Sequence, residues 1–147
     1  MHSNAVDVLL VEDNINDAEL AIRQLKKHNL ANSLFHVEDG EAALNFLFGT
    51  GPFEGKTDIL FPPKVVLMDI QMPKLNGIDV LRRMKADEHA QKIPVVILTS
   101  SNQDPDISIC YELGASSYIV KPVDFERFSV AIRDIGFYWL LLNQPPR

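Results

Sequence analysis

The chain has 147 residues, enough for one domain that buries roughly two thirds of its unfolded surface and needs no disulfides to fold. Hydrophobic content of 46% and charged content of 23% are those of a soluble globular protein and exclude broad disorder. A net charge of −6 with no basic stripe repels a phosphate backbone, which argues against direct binding of DNA or RNA.

From the amino terminus, a short apolar run gives way to the acids Glu12 and Asp13, without the form of a signal peptide. No apolar stretch approaches the length that spans a bilayer, and the lone Cys110 can make no internal disulfide. The expectation is a cytoplasmic protein with no membrane contact. His2, His28, His36 and His89 lack metal-ligand spacing and read as solvated surface positions.

Val8 to Val11 is a continuous apolar run, the pattern of a strand covered on both faces, and it stops at Glu12-Asp13. Asn14 or Asn16 then caps a helix whose Ala18, Ala21, Ile22 and Leu25 form one apolar stripe, fraying near His28 and Asn29. Leu34 to Val37 is a short strand, and Ala42, Ala43, Phe46 and Leu47 mark a second helix. Residues 49–63 hold three glycines and three prolines and read as an unusually long loop. A tolerated surface insertion is the plainer account of it, a partner contact through Phe53 or Phe61 the sharper one. Lys64 to Asp69 is the third strand, ending in a carboxylate and followed by a loop punctuated by Pro73 and Gly77. The next helix carries Ile78, Leu81 and Met84 on one face, with Arg82, Arg83 and Lys85 exposed. Pro94 to Leu98 is a fourth strand that ends in the hydroxyls Thr99, Ser100 and Ser101. Pro105 suits a first helical turn and Gly114 ends that helix. Tyr118 to Val120 forms a fifth strand ending at Lys121-Pro122, and one long helix runs on from about Asp124. Strands alternating with helices predict an α/β domain with a parallel sheet and right-handed crossovers over residues 1–147, with no effector domain.

In an open parallel sheet, ligands bind beyond the carboxyl ends of the strands. Four of these strand ends carry Glu12 and Asp13, Asp69, Thr99, and Lys121. Each alone is an ordinary cap or turn residue; together they compose a site. Gathered carboxylates repel one another by several kcal/mol at an effective dielectric of about 20, and a hard divalent cation removes that cost. Magnesium, which prefers oxygen ligands and keeps waters, suits such an open site. Lys121 adds a mobile charge able to pair with Asp69 or a phosphoryl oxygen, and Thr99 adds a hydroxyl donor. These are the parts that phosphoryl transfer to a carboxylate requires.

With Glu12-Asp13, the acceptor stretch Leu67-Met68-Asp69-Ile70-Gln71-Met72-Pro73, Thr99 and Lys121-Pro122, the chain resembles the receiver domains of two-component response regulators over essentially its whole length. The resemblance implies a doubly wound, flavodoxin-like sheet of five strands in the order 2-1-3-4-5, with helices on both faces. It implies that Asp69 accepts a phosphoryl group from the phosphohistidine of a sensor histidine kinase, with Lys121 and Thr99 assisting. It places Mg2+ on Asp13, Asp69 and the Gln71 carbonyl, with Glu12 acting through water. It also implies a cis peptide before Pro122 and a switch in which Tyr118 turns inward as the Thr99 hydroxyl moves to the phosphate. The expected role is a signalling module, not an enzyme beyond its own phosphoryl acceptance and slow autodephosphorylation. Glu12-Asp13 departs from the family's commoner pair of aspartates, and Gln71 and Ser101 stand where the family tunes the lifetime of the acyl phosphate.

The last helix presents Phe125, Phe128, Ile132, Ile135 and Trp139 as one stripe, and then Phe137, Tyr138, Trp139, Leu140, Leu141 and Leu142 are apolar on every side. A helix hydrophobic all round must be covered all round, by a second molecule or by its own domain. With the long 49–63 loop and the ending Asn-Gln-Pro-Pro, this tail resembles the regulators that accompany phytochrome-type kinases. That resemblance implies a homodimer through the last helix and tail. Three other readings use the same chemistry or fold. A haloacid-dehalogenase-like phosphatase would need an aspartate two residues after Asp69, where Gln71 stands. A phosphorylation-independent interaction module would keep the fold alone. A flavin site would need a phosphate loop where Glu12 and Asp13 stand.

Overall fold

Apolar runs without polar alternation need cover on both faces, and the chain meets that need by placing helices on both sides of one sheet. The computed structural model describes residues 6–27, 33–101 and 103–134. Its strands are β1 (Val8–Val11), β2 (Leu34–Val37), β3 (Val65–Asp69), β4 (Val95–Thr99) and β5 (Ser117–Val120). Between and after them lie α1 (Ile15–Lys27), α2 (Gly40–Phe48), α3 (Gly77–Lys85), α4 (Asp106–Glu112) and α5 (Phe125–Asp134). All strand pairs are parallel, in the order β2-β1-β3-β4-β5, the order that the resemblance to receivers implies.

Every residue of β1, β3 and β4 is buried, whereas the edge strands β2 and β5 are only partly covered. Side chains alternate across each strand, so the core has two layers. Leu9, Val11, Val66, Met68, Val95 and Ile97 meet α2, α3 and α4 through Ala43, Leu47, Val80, Leu81, Met84 and Cys110. Val8, Leu10, Val65, Leu67, Val96, Leu98 and Ile119 meet α1 and α5 through Ala18, Ala21, Leu25, Phe128 and Ala131. Helix α1 starts on Asn14, whose Oδ1 accepts from the Asp17 N–H at 2.9 Å, which decides between the two candidate caps. The Lys121–Pro122 peptide is cis.

The structure corrects several sequence expectations. Residues 49–63 are not featureless: Gly51–Phe53 forms a 3-10 turn that seats Phe53 against Phe46 and Phe35, at ring-centroid distances of 5.3 and 5.7 Å. Phe53 is therefore half-buried and packs against the core, whereas Phe61 and Leu60 are exposed. The Thr57 hydroxyl ties this insertion to α2 by donating to the Phe46 carbonyl at 2.6 Å. Lys85, expected on the exposed face of α3, is half-buried, because its stem lies against Gly114 and its ammonium donates to the Gln91 carbonyl at 3.0 Å. His36 is half-buried as well, with Nε2 at 2.7 Å from the Glu12 carbonyl; a carbonyl only accepts, so that nitrogen carries the proton. Ile135 and the tail from Phe137 to Leu142 lie outside the described residues, as do His2, His28 and Asn29.

Two glycines fix the loop between β3 and α3. A Cβ on Gly40 would lie 2.1 Å from the Leu75 carbonyl oxygen, and one on Gly77 would lie 2.5 Å from the Asp69 carbonyl oxygen. Lys74 and Leu75 between them take positive φ angles of 57° and 117°, conformations that disfavour side chains. The loop is thus pressed onto the backbone on both sides and carries Asp69 with it. Gly77→Ala is expected to cost about 1–3 kcal/mol through forced displacement of that backbone, as measured by urea denaturation.

Candidate functional site

The alternation that builds the core also builds the site. On β1, β3 and the chain leaving β5, the face that packs on α1 and α5 carries Leu10, Leu67 and Ile119. The next side chains on that face are Glu12, Asp69 and Lys121. The ladder continues far enough to hold them, since the Glu12 N–H donates to the Val37 carbonyl at 3.1 Å and the Lys121 N–H to the Thr99 carbonyl at 2.8 Å. Thr99 and Tyr118 belong to the opposite parity, with Ile97 on the α4 side of the sheet.

Lys121 is the hub. Its Nζ lies 2.8 Å from Asp69 Oδ2, 3.1 Å from Glu12 Oε1 and 3.2 Å from Asp17 Oδ2. Glu12, Asp69 and Thr99 are buried, whereas Asp13 is exposed. The second Asp69 oxygen, Oδ1, accepts from the Gln71 N–H at 3.2 Å. Burial pulls the Lys121 ammonium down, but the hydrogen bond and charge of Asp69, joined by Glu12, outweigh it and the net shift is upward. Burial pushes the Glu12 carboxyl up to about 7; the Asn14 N–H works against that, and the neighbouring Asp69 charge adds to it. Four carboxylates facing one ammonium leave this pocket short of positive charge.

A divalent cation would supply it. Carboxylate oxygens of Glu12, Asp13 and Asp69 all lie within 4.8 Å of one another, an all-oxygen donor set that suits a hard cation such as magnesium or manganese. Gln71 contributes its N–H to Asp69, and its side-chain amide donates to Asp106 Oδ2 at 3.4 Å, directed toward α4. The Thr99 hydroxyl is turned toward its own loop, 3.0 Å from the Ser101 carbonyl and 3.3 Å from Asp104 Oδ2. Tyr118 is half-buried, with its ring edge-on to that of Tyr111 at 6.2 Å. The structure therefore brings Glu12, Asp13, Asp69 and Lys121 together and places Thr99 on the next strand end.

Sequence reasoning missed Asp17, Asp104 and Asp106. Asp17 had a signal, since it stands one helical turn beyond Asp13 in a helix that starts above the same sheet edge. The other two had none beyond their place in a loop between Thr99 and α4. At Cys110, burial, with Asp106 and Asp104 beyond it, pushes the thiol up to about 11, away from the reactive thiolate form.

Residues 8–133 match the family model described as the response regulator receiver domain. The chain belongs to that family. Phosphoryl acceptance on an aspartate is typical of the family, and its members are signalling modules. Among solved structures, the bacteriophytochrome response regulator RtBRR is 42% identical with a TM-score of 0.84, over 95% of this chain and 82% of that one. AtBRR, also a bacteriophytochrome response regulator, is 44% identical with a TM-score of 0.82, over 93% of this chain and 96% of that one. Response regulator Rcp1 of Synechocystis sp. is 32% identical over 90% of this chain and 88% of its own length. The receiver is thus homologous to the phytochrome response regulators, whose receiver domains pair with histidine kinases. Receivers bind Mg2+ or Mn2+ in their acidic pocket, and one Rcp1 structure is the Mn2+-bound form. Among the described residues, no helix is long and apolar enough to cross a membrane.

The raised Glu12 carboxyl sets a pH dependence. Below about pH 7 the metal-free site holds a proton there that an incoming cation must expel. Affinity for Mg2+ is therefore expected to fall as pH drops through 7. Proton release should be visible by calorimetry in buffers of different ionisation enthalpy and be lost in Glu12→Gln.

Proposed function

We propose that Asp69 is the phosphoryl acceptor of this receiver, loaded by a phytochrome-type sensor histidine kinase in a phosphorelay. The observation that carries the reading is the buried Asp69 carboxylate, held 2.8 Å from Lys121 Nζ within a cluster of acids at the carboxyl edge of the sheet. An Asp69 oxygen attacks the phosphorus of the kinase phosphohistidine, a P–O bond forms as the P–N bond breaks, and the imidazole leaves with the electron pair and takes up a proton. Lys121, strongly held as a cation, stays at the reacting carboxylate and offsets negative charge on the transferring group. The Gln71 N–H fixes the other Asp69 oxygen and so orients the carboxylate for attack.

The Glu12, Asp13 and Asp69 carboxylates suit Mg2+; Asp13, Asp69 and the Gln71 carbonyl would hold it, with Glu12 acting through water. Bound there, the ion neutralises the acidic pocket and the phosphoryl oxygens together. After transfer, the Thr99 hydroxyl moves to a phosphoryl oxygen and vacates space on the α4 side of the sheet. Tyr118, on the same side, turns into that space and changes the surface near α4 and Tyr111.

A homodimer through the last helix and the tail Phe137, Tyr138, Trp139, Leu140, Leu141 and Leu142 completes the reading; its support is the all-round apolar sequence of that tail. The net charge of −6 supports protein partners and not nucleic acid, and the free Cys110 suits the cytoplasm.

Intact mass after exposure to acetyl phosphate is expected to show one phosphoryl adduct that requires Mg2+ and is absent in Asp69→Asn; an adduct surviving in that variant would place the acceptor elsewhere. Truncation before Phe137 is expected to turn a sedimenting dimer into a monomer, and an unchanged dimer would remove the tail from the interface.

A further inference from the structure

We infer that Asp104 is a positioning residue that holds the Thr99 hydroxyl in the unphosphorylated orientation, and that the site must break this contact to switch. The inference rests on the phosphorylation of Asp69 proposed above. Thr99 has one hydroxyl proton. It lies between two acceptors of the β4–α4 loop, the Ser101 carbonyl at 3.0 Å and the Asp104 carboxylate at 3.3 Å, while the Ser101 N–H donates back to the same oxygen at 3.3 Å. Thr99 itself is buried, which limits the access of solvent to that proton. A hydroxyl that turns to a phosphoryl oxygen on Asp69 must withdraw the one proton that these two acceptors share, and one of them is a carboxylate.

Asp104 is also built into α4. Its Oδ1 accepts from the Asp106 N–H at 2.9 Å, and its carbonyl accepts from the Ile107 N–H at 3.2 Å. The carboxylate thus divides its oxygens, Oδ1 for the first turn of α4 and Oδ2 for Thr99. Release of Thr99 frees the Oδ2 side of the residue on which α4 starts. Asp106 adds a parallel tie by accepting from the Gln71 side chain at 3.4 Å, across from the loop that carries Asp69. The start of α4 is therefore linked to the acceptor strand and to the switch strand by two neighbouring carboxylates.

Asp104→Asn separates these roles. The amide oxygen still serves the Asp106 N–H, which places the NH2 where Oδ2 stood; that group cannot accept from Thr99 and can only donate to its oxygen, so the hydroxyl proton is released. With saturating Mg2+, the variant is expected to bind beryllofluoride, a phosphoryl mimic, roughly two- to tenfold more tightly than wild type, the worth of one hydrogen bond. Asp104→Ser, whose short side chain can still cap α4 but does not reach Thr99, is expected to give a similar gain and guards against a folding defect in the first variant. In a Thr99→Ala background neither substitution should change the affinity. Unchanged binding by both variants would overturn the inference. So would an equal gain in the Thr99→Ala background, which would assign the effect to lost negative charge. No Mg2+-dependent binding by wild type would overturn the phosphorylation reading itself, and the inference with it.

Discussion

The structure depends on one ammonium group held among carboxylates that would otherwise repel one another. Lys121 arrives from the end of β5 and touches Glu12, Asp17 and Asp69, which come from the end of β1, the first turn of α1 and the end of β3. That single contact set ties the end of β5 to the β1–α1 junction and to the end of β3. The arrangement is partly buried, where removing one partner of an ion pair typically costs about 3–5 kcal/mol because the other is left uncompensated. The site nonetheless remains acidic overall, and this excess gives it an electrostatic reason to attract a hard cation.

The loops around this contact are tightly constrained, and the chain secures Asp69 from behind as well as in front. Gly77 lies against the Asp69 carbonyl, Gly40 against the Leu75 carbonyl, and the Gln71 N–H binds the free carboxylate oxygen. The positive φ angles at Lys74 and Leu75 are the local cost of that tight return. On the other side of the sheet, Thr99 and Tyr118 share the parity of Ile97, on the α4 face. Strand alternation alone puts these two on the face opposite Glu12, Asp69 and Lys121.

Much of this was legible in the residues. The apolar runs of β1, β3 and β4 read as central strands because both faces of each are covered, and their terminal polar residues stood out against that background. The carboxyl-edge rule then gathered Glu12, Asp13, Asp69, Thr99 and Lys121 without any coordinates. Lys85 was misjudged because periodicity assigns a face to a side chain but does not show what a distant segment brings to cover it, and here Gly114 supplied the cover. Nor does periodicity show that Phe53 packs on Phe35 and Phe46. His36 was misjudged likewise, its partner being a backbone carbonyl that sequence pattern does not display.

What the sequence determined by itself was the alternation of strand and helix, the edge of the sheet where chemistry gathers, and the residue types there. These follow from hydrophobic periodicity and from local turn chemistry, which act over a few residues. Tertiary structure alone decided which oxygen meets which proton: that Lys121 also takes Asp17, that Glu12 is driven up to about 7, and that the Thr99 hydroxyl is turned to Ser101 and Asp104. Those facts depend on burial and on distances of about 3 Å between segments far apart in the chain. A strand pattern specifies the face on which a side chain lies, but only the packed fold sets its partners and the dielectric around it.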